Sequence, residues 1–359
     1  MENKNFRTWL DDMNLNHPLV IAGPCSAETE EQVLKIAHSL KDTDATIFRS
    51  GVWKPRTRPG TFEGNGVKAL PWLQKVKEET GMMTAIEIAN AHHAKLAMEF
   101  DIDVLWIGAR TTVNPFAVQE IAEAIQGTDK IVLVKNPINP DLELWIGAIE
   151  RLHKMNVKNL GAIHRGFSSF RKSQYRNVPS WQIPIDLKGR FPSLPIINDP
   201  SHICGNRTGI FDVSQTALDL KMDGLIVETH FDPDNAWSDA KQQIVPERLV
   251  EIMHDLKVRK PRFEREESLS NLSALRKEIN AKDDQLLEIL SERMQIVENI
   301  GKAKKESNVA VLQNARWQEI LNKVTEKGQG QGLSDLFIER IFKAIHQESI
   351  AHQEKIINS

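Results

Sequence analysis

PLVIAG (residues 18–23) is the first of eight short apolar runs that decide the fold of this chain. The other seven are ATIFRS (45–50), MTAIEI (83–88), DVLWIGA (103–109), KIVLVKN (130–136), LGAIHRG (160–166), LPIINDP (194–200) and GLIVETH (224–230). Amphipathic stretches separate the runs, and near-continuous apolar strands alternating with helices are typical of a parallel sheet covered on its outer face. Eight such units predict an α/β fold, the (β/α)8 TIM barrel. A doubly wound open sheet is the alternative, but no glycine fingerprint follows the first run.

A charged, apolar-poor segment, HDLKVRKPRFEREESLS (residues 254–270), follows the last unit and contains Pro261, which is typical of a linker. We therefore predict a barrel domain over residues 1–258, a linker over 259–268 and a second domain over 269–359. From Leu269 to about Lys305 the sequence has no proline and a single glycine, Gly301, which predicts one long helix. Two further helices are predicted at about 315–327 and 334–357.

The predicted long helix also suggests how the second domain assembles. It would span roughly 55 Å, too long to bury its apolar stripe within a monomeric domain of about 90 residues. One heptad position repeats an apolar residue at Leu272, Ile279, Leu286 and Ile300. Such a repeat is expected of a helix that faces partner helices. We therefore predict a smaller all-α domain that forms an intertwined dimer.

The overall composition argues against several classes of protein. The net charge of −3 and the 40% apolar content are ordinary for a globular protein, so neither nucleic acid nor a membrane is an expected partner. Cys25 and Cys204 are the only cysteines, too few for a disulfide framework. MENKNFRTWLDD lacks the apolar core of a signal peptide, and no run reaches the roughly 18 apolar residues of a membrane span. We expect a cytoplasmic protein.

Charged or metal-ligating residues stand at the ends of all eight predicted strands. In chain order they are Cys25, Arg49, Glu87, Arg110, Lys135, Arg165, Asp199 with His202, and Glu228 with His230. The chemistry of β/α barrels takes place at the carboxyl ends of their strands. A single cation there is commonly a solvated loop charge, but a ring of them predicts a ligand rich in phosphate and carboxylate oxygens. The predicted ring consists of Arg49, Lys54, Arg110, Lys135 and Arg165.

A second set of side chains has the chemistry of metal ligands: Cys25, His202, Glu228 and Asp239. No local motif joins them, and a lone cysteine or histidine is more commonly a packing residue. The first three, however, stand at strand ends one, seven and eight, which adjoin in a closed barrel. Thiolate is a poor partner for hard cations, so this mixed set predicts one divalent ion of Mn, Fe, Co or Zn rather than Mg or Ca.

The motifs GPCSAE, RSGVWKPRT, IGAR, LVKN, HRG, NDPSH and VETH occur in the order found in class I 3-deoxy-D-arabino-heptulosonate 7-phosphate (DAHP) synthases, which residues 19–250 resemble. The resemblance implies condensation of phosphoenolpyruvate with erythrose 4-phosphate, the first step of aromatic biosynthesis. It implies that the five cations bind phosphoenolpyruvate, with Lys54 also acting as an acid, and that the four metal-capable residues bind the metal. It assigns the sugar phosphate to three residues of KPRT: Pro55, Arg56 and Thr57.

Three positions depart from the usual motifs of that family. Arg58 follows KPRT in place of serine, His164 precedes RG where relatives often carry Glu, and SDA (238–240) replaces SDG. A sister family that makes an eight-carbon sugar acid typically shows KANRS, so KPRT argues against it. An unrelated barrel, such as a Schiff-base aldolase using Lys135, is the other alternative, and insensitivity to chelators would identify it.

The second domain places cations in an apolar stripe. Arg293 shares its heptad position with Leu286 and Ile300, and Lys304 shares its own with Leu290 and Val297. A buried cation needs an anionic partner, which would be either a bound ligand or a protein carboxylate.

Residues 269–357 resemble the all-helical chorismate mutases, which implies Claisen rearrangement of chorismate to prephenate. The matching positions are Arg276, Arg293, Lys304, Arg316, Ser349 and Gln353. The resemblance implies that Arg276 reaches across from the partner subunit and that Lys304 and Gln353 donate to the ether oxygen. Gln313 and Trp317 depart from the family, since relatives often carry acids there.

Together the two resemblances predict a bifunctional enzyme that is at least a dimer. They also predict that prephenate or chorismate, bound by the helical domain, inhibits condensation in the barrel. The alternative is an active DAHP synthase whose helical domain only senses chorismate or prephenate. An assay for mutase activity distinguishes these hypotheses.

Overall fold

A computed structural model of the protein describes residues 5–54, 60–260 and 266–358. The chain divides into two compact units, Met1–Arg259 and Lys260–Ser359. The predicted sugar-phosphate residues Pro55, Arg56 and Thr57, together with Arg58 and the linker residue Pro261, lie outside the described residues.

Eight parallel strands close into a barrel in chain order, which confirms the predicted TIM barrel and excludes the open sheet. The strands are β1 (Leu19–Gly23), β2 (Ile47–Arg49), β3 (Met83–Ile88), β4 (Val104–Ile107), β5 (Ile131–Lys135), β6 (Leu160–His164), β7 (Ile196–Asn198) and β8 (Gly224–Glu228). The barrel closes where β1 pairs with β8, with Leu19 opposite Gly224 and Gly23 opposite Glu228.

Helices surround the barrel and cover the outward faces of its strands. They are α1 (Thr8–Asp11), α2 (Glu30–Leu40), α3 (Leu70–Thr80), α4 (Ala91–Glu99), α5 (Ala109–Thr112), α6 (Pro115–Ala124), α7 (Leu142–Lys154), α8 (Gln182–Arg190), α9 (Pro200–Cys204), α10 (Ile210–Asp219) and α11 (Pro246–Asp255). Side-chain caps begin several of them, as Thr29 accepts from the Gln32 amide at α2 and Asp141 from the Leu144 amide at α7. Short α1 lies at the opposite end of the barrel from the carboxyl ends of the strands, where the Trp9 indole donates to the carbonyl of Leu160 at 3.0 Å.

Alternation along the strands determines which side chains enter the barrel. One buried cluster fills the interior with residues such as Leu19, Ile21 and Trp106, whereas their strand neighbours Val20 and Leu105 pack outward against the helices. Because side chains alternate along a strand, a residue two positions after an inward one also points inward. The last inward positions lie at the mouth of the barrel and carry polar groups: Glu87, Arg49, Lys135 and Glu228 follow Ala85, Ile47, Leu133 and Ile226.

The second unit is all-α with one long helix, as predicted. Its helices are α12 (Glu266–Glu306), α13 (Asn314–Gln329) and α14 (Asp335–Asn358). Helix α12 begins three residues before Leu269 and spans about 60 Å. It runs parallel to α14, because contacts advance together along both helices, from Arg293 with Ser349 to Lys305 with Ile356.

Two stripes of α12 differ in burial. Val297 is buried, and Leu290 and Lys304 of the same heptad position are half-buried. Ile279, Leu286 and Ile300 of the other stripe are 59%, 54% and 44% exposed. A single chain therefore leaves an apolar surface uncovered on its longest helix. None of the helices in the described part of the chain is long and apolar enough to cross a membrane.

Candidate active sites

The barrel mouth brings cations together around one aromatic ring. Arg49, at the end of β2, places its guanidinium carbon 4.9 Å from the centre of the Trp106 ring, and Lys135 Nζ lies 5.6 Å from that centre. The Trp106 indole donates to Glu87 Oε2 at 3.0 Å, which fixes the ring in the barrel. Trp106 therefore forms the floor beneath two of the predicted phosphoenolpyruvate residues.

Carboxylates hold these two cations from the other side. Arg49 Nη1 lies 3.2 Å from Glu228 Oε1, and Lys135 Nζ donates to Asp199 Oδ2 at 3.1 Å. Arg49 is nevertheless incompletely paired, since its buried Nε and Nη1 have no hydrogen-bond partner among the described residues. Buried donors without acceptors are costly, so the Arg49 guanidinium is suited to an anion that completes its bonds.

Arg165 adds a third cation directly after β6. Its Nη1 donates to Asn177 Oδ1 at 2.8 Å, and its backbone N–H donates to Asn136 Oδ1 at 2.7 Å. Burial lowers the pKa of Arg165 to about 10, Asp199 opposes that fall, and the charges of Arg176 and Arg110 contribute to it. Mutual repulsion among neighbouring guanidinium groups is relieved when an anion binds between them.

Three of the predicted metal ligands form a compact cluster. One ligand atom each from Cys25, Glu228 and Asp239 lie within 4.8 Å of one another. Cys25 Sγ is 3.5 Å from Asp239 Oδ2, and His202 Nε2 is 3.8 Å from Glu228 Oε1. The other ring nitrogen of His202, Nδ1, is 3.0 Å from Asp199 Oδ1, which turns Nε2 toward the cluster. All four predicted ligands are therefore neighbours.

The donor set fits a divalent cation of the predicted kind. Glu228 Oε1 is buried, forms the ion pair with Arg49 Nη1, and has no hydrogen-bond partner within the described ranges, so its bonding capacity is not used up. Burial would raise the pKa of Glu228, but His202 and Arg49 outweigh it and lower the pKa. A thiol, an imidazole and two carboxylates suit Mn, Fe, Co or Zn.

Lys54 lies against the cysteine of this cluster. Its Nζ donates to the Cys25 carbonyl at 2.8 Å and to Cys25 Sγ at 2.9 Å. Burial opposes the charged form of Lys54, but Cys25 and Glu228 outweigh burial and raise its pKa. Gly51 makes this approach possible, because a Cβ there would lie 2.5 Å from the Cys25 carbonyl oxygen and 3.0 Å from Lys54 Cδ.

The helical unit gathers four of its six predicted residues between α12 and α14. Arg293 Nη1 donates to Ser349 Oγ at 2.7 Å, and Lys304 Nζ donates to the Val311 carbonyl at 2.6 Å. Gln353 is buried, and its Oε1 has no hydrogen-bond partner among the residues the structure describes. Gly301 lets the two helices meet here, since a Cβ would lie 3.3 Å from Gln353 Cα.

Arg293 has the environment expected of a ligand-binding cation. In the described part of the chain it contacts no carboxylate, and its pKa is lowered by burial. The sequence left open whether a protein carboxylate or a ligand would balance this charge. No such carboxylate is found among the described residues of this chain, which favours a ligand.

The remaining two predicted residues lie apart from this group. Arg276 is exposed and stands 17 positions before Arg293, about 26 Å along the same helix. Arg316 on α13 is exposed and pairs with Glu319 at 2.7 Å. Trp317, next to it, stacks on His346 of α14 with ring centres 4.0 Å apart.

Residues 14–262, well over half of the chain, match the model of the DAHP synthetase I family. This chain belongs to that family. Residues 275–354 match chorismate mutase type II. The protein is therefore a bifunctional enzyme with a DAHP synthase barrel and a chorismate mutase domain, and the unrelated Schiff-base barrel is excluded.

Individual relatives match about two thirds of this DAHP synthase. The phospho-2-dehydro-3-deoxyheptonate aldolase of Thermotoga maritima is 31% identical over 238 residues, which cover 66% of this chain and 68% of the relative. A crystal structure of the T. maritima aldolase has a TM-score of 0.61 at 29% identity and covers 67% of this chain and 68% of that one. A 2-dehydro-3-deoxyphosphooctonate aldolase of Nitratidesulfovibrio vulgaris is 25% identical over 260 residues, 66% of this chain and 90% of the relative.

Several residues of the DAHP synthase mouth were not predicted from the sequence. Trp106 lies inside an apolar run and has no polar signal of its own. Asn177 lies in an irregular loop and joins Arg165 to the carbonyl of His202, to which its Nδ2 donates at 2.7 Å. Arg176, beside it, pairs with Asp239 at 3.1 Å. Only the alternation of inward and outward side chains along β4 could have indicated Trp106. No sequence pattern indicated Asn177 or Arg176.

His164, a departure from the usual DAHP synthase motif, is fully buried beneath the mouth. Its Nε2 donates to the Pro179 carbonyl at 2.7 Å, and its Nδ1 accepts from Asn198 Nδ2 at 3.1 Å, so both nitrogens are satisfied by the neutral ring. Burial lowers the pKa of His164 to about 4, although the bond to Pro179 opposes that fall. His164 is therefore neutral at physiological pH, where a glutamate would bring a charge.

We expect His164 to make the barrel sensitive to acid. The folded-state pKa of about 4 lies below the ordinary 6.5, so the unfolded chain binds the additional proton between these values. Neutral His164 makes its full contribution to the free energy of unfolding above pH 6.5. About 3 kcal/mol of this free energy is lost as the pH drops to 4.

Chemical denaturation of wild type and His164→Gln at pH 7.5 and 4.5, followed by tryptophan fluorescence, measures this effect. The glutamine can keep both hydrogen bonds and does not titrate, so the stability lost on acidification should be smaller in the variant. Exposed His254 provides the matched control, His254→Gln. An equal loss in wild type and His164→Gln would contradict the assignment.

Proposed function

We propose that the barrel condenses phosphoenolpyruvate with D-erythrose 4-phosphate to give DAHP and inorganic phosphate. The observation that carries this proposal is the meeting of buried cations and a mixed metal-ligand set at one barrel mouth. Phosphoenolpyruvate presents a carboxylate and a phosphate, which match the forked donors of arginine. The proposed phosphoenolpyruvate ligands are Arg49, Lys54, Arg110, Lys135 and Arg165.

Each partner of the reaction has its own part of the site in this proposal. Arg49 and Lys135 over Trp106 would fix the three-carbon substrate, while Pro55, Arg56 and Thr57 would hold the sugar phosphate. A divalent ion of Mn, Fe, Co or Zn held by Cys25, His202, Glu228 and Asp239 would polarise the sugar aldehyde. Fixing both substrates removes much of the entropic cost of their encounter.

The chain's own residues then move charge and protons. Carbon three of phosphoenolpyruvate attacks the aldehyde carbon, and the aldehyde oxygen takes up a proton as it becomes a hydroxyl group. Lys54 is suited to supply that proton, since its raised pKa keeps Nζ charged at neutral pH. Water adds at carbon two and loses one proton, which restores the charge of Lys54. The C–O bond to phosphate then breaks among the arginines that neutralise the leaving group, and the phosphate takes the remaining hydroxyl proton as the ketone forms.

The experiment that tests this function measures phosphate release from phosphoenolpyruvate and erythrose 4-phosphate, with and without divalent metal. We expect release that requires both substrates, disappears in excess chelator and returns with Mn, Fe, Co or Zn. Full activity in chelator would overturn the metal assignment. Release that did not require erythrose 4-phosphate would overturn the condensation.

We propose that the helical domain rearranges chorismate to prephenate. Arg293 and Arg276 would clamp the two carboxylates, with Arg316 and Ser349 completing the pocket. Lys304 and Gln353 would donate to the ether oxygen as its bond breaks. Gln353 Nε2 donates one N–H to the Ser349 carbonyl at 3.2 Å, and its second N–H would make this contact. The reaction is unimolecular, so restricted conformation and electrostatic stabilisation carry it.

A dimer follows from this proposed site. Arg276 and Arg293 are about 26 Å apart along one helix, so a single protomer cannot bring both to one small ligand. A second copy that runs alongside α12 would supply its own Arg276. The exposed apolar stripe at Ile279, Leu286 and Ile300 provides the surface such a copy would cover.

The sensing-only alternative rests on Trp317 and Gln313, where relatives often have acids. Trp317 is stacked on His346, and burial together with the Arg293 charge lowers the pKa of His346. The pair thus places a neutral aromatic surface where a carboxylate is expected. Turnover of chorismate by the full-length protein supports the mutase, whereas tight binding without turnover supports the sensor.

We further propose that prephenate, or chorismate, bound by the helical domain inhibits condensation. The two reactions lie several steps apart in one pathway, so handing over an intermediate does not explain the fusion. A ligand that binds one arrangement of the domains better than another shifts their equilibrium, typically by about 1–3 kcal/mol.

We therefore expect prephenate to slow condensation in the full-length chain, and a chain ending at residue 261 to lose that inhibition. The measurement is the condensation rate against prephenate concentration for both proteins, repeated with chorismate. The truncated chain must retain condensation without prephenate to serve as the comparison. Identical curves for the two proteins would contradict regulation by the helical domain.

A further inference from the structure

A chain of polar side chains joins the two carboxylates of the proposed metal site. Arg176 Nη1 lies 3.1 Å from Asp239 Oδ1 and donates to Gln242 Oε1 at 2.8 Å. Gln242 Nε2 in turn donates to Glu228 Oε2 at 2.7 Å. Arg176 and Gln242 thus connect Asp239 to Glu228.

This connection occupies one oxygen of each carboxylate, and the second oxygen points toward the metal-ligand cluster. Glu228 Oε2 accepts from Gln242, while Oε1 has no hydrogen-bond partner among the described residues and lies between Arg49 Nη1 at 3.2 Å and His202 Nε2 at 3.8 Å. Asp239 Oδ1 is held by Arg176, while Oδ2 lies 3.5 Å from Cys25 Sγ. A carboxylate held by one oxygen loses the freedom to rotate, so its free oxygen keeps one direction.

The surroundings bury Gln242 and hold the backbone of Arg176. Gln242 is only 1% exposed, and its amide can serve as donor and acceptor at once. The Arg176 amide donates to the Cys204 carbonyl at 3.3 Å. Gly205 has φ +66°, and a Cβ there would lie 2.5 Å from Arg176 Cβ, so glycine at this position lets the Arg176 loop pack close.

The positive charge of Arg176 also suits a residue that holds the carboxylates of the proposed metal site. The thiolate and the two carboxylates are anionic when they bind a metal, and the imidazole is neutral. Together with a divalent ion, these ligands carry a net negative charge. Arg176 adds a positive charge next to Asp239. Burial would raise the pKa of Asp239, but Arg176 and His202 outweigh it and lower the pKa.

We propose that Arg176 and Gln242 are positioning residues that aim Asp239 and Glu228 at a divalent metal ion. The inference rests on the proposed metal site and adds two residues that are not among its proposed ligands. Arg176 acts through Asp239, and Gln242 acts through Glu228. Loss of either should weaken metal binding without removing a ligand.

The test is titration of the metal-free, full-length protein with cobalt(II), followed by absorption spectroscopy. We expect Arg176→Gln and Gln242→Leu to weaken cobalt binding about 10- to 100-fold. The thiolate-to-cobalt charge-transfer band should persist because Cys25 still binds, while the visible ligand-field bands should shift because a carboxylate has turned. Arg176→Lys keeps a charged donor and should recover most of the affinity.

Arg190→Gln is the matched control, since Arg190 is exposed to the same degree as Arg176 but pairs with Glu143 on the outer helices. Its cobalt affinity and spectrum should equal those of wild type. Wild-type affinity and spectrum in both Arg176→Gln and Gln242→Leu would overturn this inference alone. A wild-type protein that bound no cobalt would overturn the metal site and the inference with it. Melting temperatures without metal identify any variant that has not folded.

Discussion

Cys25→Ala is expected to abolish condensation while the barrel remains folded and the mutase remains active. Cys25 supplies the sole sulfur ligand in the proposed metal site, and its Sγ also receives the Lys54 ammonium at 2.9 Å. A metal contributes several kcal/mol to stabilising the transition state, so its loss should slow condensation by at least about 10³-fold. The measurements are phosphate release, metal content and mutase turnover on the same preparation.

The protein contains its own control for this substitution. Cys204 is also buried, but its side chain packs with Ile203 and Val213 in a small apolar cluster, and burial raises its pKa to about 12. Cys204→Ala should cost some stability and leave metal content and condensation close to wild type. A Cys25→Ala enzyme with wild-type rate, or equal losses in both variants, would contradict the metal site.

Lys304→Ala is expected to reduce mutase turnover by about 10²- to 10³-fold, as removal of one donor to a developing negative charge commonly does. Condensation should be nearly unchanged, because the barrel site contains none of the residues that Lys304 contacts. The loss should appear in kcat more than in KM, since the bond to the ether oxygen strengthens in the transition state. Chorismate consumption and phosphate release measure the two activities separately.

The adjacent lysine provides the control. Lys305 is exposed and donates to the Ile356 carbonyl at 3.2 Å, whereas half-buried Lys304 donates to the Val311 carbonyl across the α12–α13 connection. Lys305→Ala should keep mutase turnover. Equal loss of condensation and mutase activity in Lys304→Ala would mean that the two sites form one cooperative unit.

The barrel could be predicted because its signals are local. Run 18–23 contains β1 and run 224–230 contains β8, because a strand buried on both faces must be apolar nearly throughout. The long helix was predicted from its missing prolines, and in the structure it begins only three residues before the predicted start at Leu269. Short strands such as β7, with three residues, were still found because the flanking helices fix their spacing.

The candidate site was predictable in part, for a related reason. Arg49, Lys135 and Glu228 each follow an inward residue by two positions, so strand parity alone directs them into the mouth. Arg176, Asn177 and Gln242 gave no such signal. Arg176 and Asn177 lie in an irregular loop, and Gln242 ends a single 3-10 turn, Ala240–Gln242. In such segments no period relates position in the sequence to direction in space.

The sequence by itself determined the fold class, the two units, the family and the identity of the charged groups at the barrel mouth. Tertiary structure alone decided which oxygen of each carboxylate faces the metal-ligand cluster, and that Trp106 lies beneath Arg49 and Lys135. The physical reason is the range of the contacts. Strands and helices follow from neighbours a few residues apart, whereas Arg176 and Asp239 are 63 residues apart and meet only once the barrel has closed.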